Sequence, residues 1–239
     1  MGKILSIEKE FKEEIELLWK NDRYSEIQLI QRGYGIHDEI IKDSILFIGI
    51  NPSFIRTSKP GSYFINLDQN AKTRDGKSYA YFKKFVHITN ILNEKRGTGE
   101  KLQWSHLDLL FHRETKQHFI DHLKKEKHGI DFISDQLRIT RKILLKSKPK
   151  VIVVSNTKAR DLLKSKNEKL SMGLDFHFDE ELGTEVIINN PALEDIPVFF
   201  TSMLTGQRAL DKGSYKRLIW HIDYALNKIS QRPIWKPKP

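Results

Sequence analysis

Apolar positions change their period along the chain, and those changes mark out the elements. Near the start, Ile7, Phe11, Ile15 and Leu18 recur at three- and four-residue spacing with acids between them. That is the pattern of an amphipathic helix over residues 6–21. Residues 44–50, SILFIGI, are instead continuously apolar. The run is short and rich in β-branched and aromatic side chains, which predicts a strand buried on both faces. Residues 55–78 carry Gly, Pro, Asn, Asp and Lys without a period and predict a long loop. A helix follows over 78–95, with Tyr81, Phe85, Ile88 and Leu92 on one side.

The second half repeats the alternation. Residues 102–115 predict a strand with a polar far end, and residues 131–148 a helix with Ser134 as its candidate cap. The run KPKVIVVSN predicts a strand ending at Ser155 and Asn156, and residues 157–166 the next helix. Residues 185–190 offer a short extra strand. Residues 196–204 form the last main strand, which enters the loop TGQRALDKGS, and residues 215–229 form the final helix. With three prolines, residues 231–239 predict an extended, flexible tail.

Strands alternating with helices predict an α/β fold around a mostly parallel sheet. No repeat or linker divides it, so one domain is expected over 1–239, with residues 1–40 as an N-terminal helical extension. Ligands of such folds bind beyond the carboxyl ends of the strands. Four strand ends then converge: residues 49–53, 108–115, 155–156 and 201–206.

Composition removes several chemistries. The chain has no cysteine, which excludes disulfides, thiolate zinc sites and cysteine-held iron–sulfur clusters. No stretch approaches 18 apolar residues, and the start is charged, so no membrane partner is expected and a cytoplasmic protein is. The formal net charge is +10. Residues 124–169 hold 14 Lys and Arg against 5 Asp and Glu, whereas residues 175–195 hold seven acids and no Lys or Arg. A basic tract of this kind suits nucleic acid, and equally a solvated lysine-rich face.

Candidate chemistry sits at the strand ends. Asn51 lies one residue beyond its apolar run, and Pro52 pushes it away from helical geometry. Gly49 permits close backbone approach. An amide so placed can orient a water, but Asn–Pro turns are common, and this stretch alone favours a turn. Asp108 and Arg113 can read a polar ligand or pair with each other. His112, His118 and His122 lack the acid of a zinc motif and stand among lysines, so no metal is expected. The loop at 205–214 lacks the spacing of a nucleotide-binding loop.

The order of elements over residues 40–228 resembles the uracil-DNA glycosylase superfamily. GINPS, at 49–53, is similar to its first motif, closest to the mismatch-specific branch. The resemblance implies a three-layer α/β/α sandwich with a central, mostly parallel four-stranded sheet. It gives Asn51 the placing of the attacking water, Asp108 and Arg113 the place of base-reading residues, and 201–210 the place of the second motif. There Thr201, Ser202 and Met203 replace a His-Pro-Ser or Asn-Pro-Ser core.

The implied activity is flipping and hydrolytic excision of a modified or mismatched base from nucleic acid, expected to be DNA, with no cofactor. Tyr63, Phe64 or Tyr81 would stack on the base. Gly49, Ile50, Pro52 and Asn156 would line its pocket, and Ser202, Met203, Thr205, Gly206, Gln207 and Arg208 would grip the strand. The alternative is a catalytically silent domain of the same kind that binds nucleic acid, a nucleotide or a protein.

Overall fold

The computed structural model describes residues 3–231 except 56, 98, 100, 117, 207 and 208. The tail at 232–239 lies outside the described residues. The chain opens with β1 (Ile4–Ser6), α1 (Ile7–Trp19), the short α2 (Gln28–Gln31), β2 (Gly35–His37) and β3 (Glu39–Ile41). It continues through β4 (Ile45–Gly49), β5 (Tyr63–Ile65), α3 (Lys83–Arg96), β6 (Trp104–Asp108), α4 (Phe119–Leu123) and α5 (Gly129–Ser147). It finishes with β7 (Val151–Val154), α6 (Thr157–Leu163), β8 (Phe176–Asp179), β9 (Thr184–Ile187), β10 (Pro197–Phe200) and α7 (Lys212–Gln231).

The main sheet runs in the order β6-β4-β7-β10-β9-β8. Its first four strands are parallel, with Gly49 beside Asp108 and Ile48 beside Val154. β9 pairs antiparallel with β10 and β8 antiparallel with β9, so the sheet is mixed and has six strands rather than four. β9 falls where residues 185–190 offered a strand. β8 was missed because its alternation, Phe176 and Phe178 against His177 and Asp179, spans only four residues within an acidic stretch, and Phe178 is exposed rather than buried.

Helices cover both faces, as the alternation along β4 requires. Leu46 and Ile48 face a core shared with Phe11 and Ile15 of α1 and Phe132, Ile139 and Ile143 of α5. Ile45 and Phe47 face the other core, where Phe47 stacks on Phe85 of α3 and Ile222 of α7 joins them. Each such side chain contributes about 1.5–3 kcal/mol by leaving water.

Two expectations at the helix starts and one at the N-terminus need correction. Ser134 is interior to α5, which begins at Gly129; a Cβ there would lie 1.7 Å from the Leu123 carbonyl oxygen. Tyr81 belongs to a 3-10 turn, Ala80–Phe82, ahead of α3. Residues 1–40 are also not simply helical, since they contribute β1, β2 and the start of β3. Asp38 fastens α1 there: its Oδ1 accepts from Ser6 Oγ at 3.0 Å and Glu8 N at 2.6 Å. Ser6 caps the helix by accepting from Lys9 N.

Candidate functional site

Beyond the carboxyl ends of β4, β6 and β7 lies a cleft of about 330 Å3. Ile50, Asn51, Pro52, Asp108 and Asn156 line its base. Tyr63, Tyr79, Tyr81 and Phe82 give it aromatic walls, and Met203, Thr205 and Gly206 bring in the loop after β10.

Asn51 is held by its nitrogen. Nδ2 donates to the carbonyls of Pro52 at 3.0 Å and Glu114 at 2.6 Å, while Glu114 N donates to Pro52 O. Both amide hydrogens are thereby committed, and Oδ1 is what the side chain has left to offer. Glu114 supports this junction. Its Oε1 accepts from Thr115 N and Lys116 N, and its Oε2 pairs with Arg32. Burial pushes the Glu114 carboxyl up, but the Lys116 N–H, Arg32 and the Thr115 N–H outweigh it and hold it below the usual range.

Asp108 ends β6 directly beside Gly49. A Cβ on Gly49 would lie 2.2 Å from Asp108 Oδ1 and 3.0 Å from the His106 ring. Glycine is therefore needed at 49 so that the carboxylate can lie across the end of β4. His106 Nε2 stands 3.3 Å from the same oxygen, and His106 Nδ1 has no hydrogen-bond partner among the described residues. His37 packs edge-on against His106 with ring centres 5.0 Å apart. Burial, and then His106, pushes His37 well below the usual imidazole range, so it is neutral at neutral pH. Tyr81 as a residue is 38% exposed. Desolvation first, and then the charge of Asp108, raises its hydroxyl, which keeps its proton.

Other expected residues stand elsewhere. Gly49 lies beneath the cleft rather than on its surface. Phe64 packs edge-on against Tyr34. Ser202 is exposed and outside the lining, and Gln207 and Arg208 lie outside the described residues. Asn156 reaches the lining, but its Oδ1 caps α6 by accepting from Lys158 N and Ala159 N. Arg113 does not pair with Asp108. Its guanidinium sits between the rings of Phe54 and Tyr63 at 4.9 Å from each and donates through one nitrogen to the carbonyls of Arg32, Lys59 and Gly61.

Sequence reasoning missed His37, Tyr79 and His106, and placed Glu114 and Thr115 at a converging strand end without giving them a role. A single His in a strand reads as core, and nothing in the local pattern joins β2 to the ends of β4 and β6. The three-residue parallel pairing of β2 with β5 sets His37 and Tyr63 into one wall.

Several lysines of the basic tract are paired with acids while remaining solvent-exposed. Lys142 pairs with Glu14, Lys146 with Glu10, Lys158 with Asp121, Lys164 with Glu185 and Lys169 with Asp131. Among the described residues no group of three or more His, Asp or Glu side chains is placed to hold a metal ion. No helix among them is long and apolar enough to cross a membrane.

The chain matches no protein-family model and no curated protein.

Proposed function

We propose that the cleft receives a flipped nucleobase and that the protein hydrolyses its N-glycosidic bond, in the manner of a uracil-DNA glycosylase-like enzyme acting on DNA. The observation that carries this reading is the commitment of both Asn51 amide hydrogens to carbonyls, which leaves an oxygen acceptor at the cleft floor. A water donating one hydrogen to Oδ1 has its lone pairs free to meet the sugar carbon. The aromatic walls supply stacking surfaces for a planar base. Asn51 contributes orientation rather than proton transfer.

Helices on both faces of a mixed six-stranded sheet agree with the sequence resemblance at the level of an α/β fold. In this reading β9 and β8 extend a four-stranded parallel unit.

One observation favours a second reading, a silent domain that binds nucleic acid, a nucleotide or a protein without cleaving anything. The loop after β10 brings Met203, Thr205 and Gly206 to the cleft, and no His or Asn from its described residues stands there to stabilise a departing base.

A cleavage screen separates the two. Labelled oligonucleotides, single- and double-stranded, would carry uracil, thymine mismatches, hypoxanthine, xanthine and oxidised or substituted pyrimidines. The enzymatic reading expects release of at least one base, and a fall of about 10²–10³ in rate for Asn51→Ala. No release of any base by the wild-type protein would leave the binding reading in place.

A further inference from the structure

We propose that the ligand edge met by Asp108 carries an exocyclic amino group, so that the site selects an amino-bearing base such as cytosine over its oxo counterpart uracil. The inference rests on the reading of the cleft as a nucleobase site. It does not depend on whether the bond is cleaved.

The geometry points to this through what surrounds the carboxylate. The Asp108 side chain is 13% exposed. Among the described residues, no Lys or Arg stands within ion-pair distance of it. Arg113, five positions on and the natural partner by sequence, is turned away to three backbone carbonyls. A carboxylate that is mostly desolvated and lacks a cation gains strongly from N–H donors.

The direction from which donors come is also set. Oδ1 lies against Gly49 and the His106 ring, on the protein side. His106 is thus a positioning residue, and Oδ2 is the acceptor left for a ligand. An ionised carboxylate has no hydrogen to give.

Base chemistry then discriminates. The cytosine edge leads with N4–H2, which donates, and carboxylate acceptance from that amine is an established mode of base reading. Uracil presents O4 at the same position. There Oδ2 would face a second acceptor oxygen, and uracil's own donor, N3–H, lies one position further along the edge. Adenine and guanine also carry amino groups; cytosine and uracil are the pair that isolates the amino-for-oxo exchange on one ring.

The test uses fluorescein-labelled oligonucleotides in which abasic spacers flank one central base, cytosine or uracil, with an all-spacer strand as control. Fluorescence polarisation reads the affinity of the wild-type protein and of Asp108→Asn. The wild type should bind the cytosine strand roughly 10-fold tighter or more. Asp108→Asn, whose amide can both donate and accept, should erase or reverse that preference. A thermal melt checks that the variant is folded; if it is not, the wild-type ratio alone decides. Equal binding of both bases, or tighter binding of uracil, would overturn the amino-edge assignment and leave the nucleobase site standing. Binding of neither base above the all-spacer control would overturn the nucleobase site, and this inference with it.

Discussion

The carboxylate of Asp108 occupies the space that any side chain on Gly49 would need: a Cβ there would come within 2.2 Å of Oδ1. The two residues are partners across adjacent parallel strands, so a Cβ at 49 has to turn the Asp108 side chain out of its place. Gly49→Ala should therefore do two things at once. It should cost about 1–3 kcal/mol in urea unfolding, the usual range for forcing volume into a packed site. It should also weaken ligand binding as strongly as Asp108→Ala does. Full binding by a folded Gly49→Ala protein would show that the carboxylate has room to move.

Arg113 is expected to matter to stability before it matters to recognition. One of its nitrogens ties three carbonyls from Arg32, Lys59 and Gly61, and its plane fills the gap between Phe54 and Tyr63. Arg113→Ala should cost about 2–4 kcal/mol, because hydrogen bonds to charged groups are strong and the carbonyls would lose their donor. Arg113→Lys should recover only part of this, since an ammonium cannot stack as a planar group. Equilibrium denaturation of both variants measures it, and equal stability of wild type and Arg113→Ala would refute the clamp.

Stability should fall as the solution is acidified below neutrality, and His112 is one named cause. It is fully buried, and burial lowers it to about 4. The unfolded chain, with an ordinary imidazole near 6.5, takes up the proton first. The contribution is thus complete above about pH 6.5 and is lost progressively down to about pH 4, by about 3 kcal/mol at most. Glu114 adds a second loss at lower pH, as its depressed carboxyl is protonated. Unfolding curves at several pH values should show the first loss flattened in His112→Phe.

On the proposed reading of the cleft as a nucleic-acid site, reversing charge at Lys142 and Lys146 should do little to affinity. Lys142 and Lys146 are engaged with Glu14 and Glu10 across α5 and α1. Exchanging both lysines for glutamate should change stability by about 1 kcal/mol or less per pair, as for other surface pairs. The salt dependence of oligonucleotide binding should keep its slope. A slope lowered by about one unit per lysine would return these side chains to the interface.

Three of the four parallel strands, β4, β7 and β10, were legible because each is an apolar run bounded by Pro, Gly or polar residues, as SILFIGI and KPKVIVVSN show; β6, WSHLD, carries three polar residues and was read only within the longer stretch 102–115. Asn51 was legible for the same reason: it follows such a run directly. The spacing of Asp108 and Arg113 suggested a pair, but spacing fixes neither residue's direction, and tertiary carbonyls took the arginine. His106 gave no signal, since one His within WSHLD alternates like a core residue. β2 and β5 are three residues each, too short to carry a period, and only their mutual pairing defines them.

That pairing has a consequence for how the cleft comes into being. β2 and β5 are parallel, with Gly35 opposite Tyr63, and the chain between them contains β3 and β4. The wall they form is closed by contacts between residues far apart in the sequence, and so are the junctions of Asn51 with Glu114 and of Arg113 with Gly61. Closing such loops costs chain entropy before any contact repays it. The cleft therefore has no independent existence in a partly folded chain. It is completed only when β4 and β6 have docked, and a nascent or nicked chain carries the aromatic residues of the cleft without its shape.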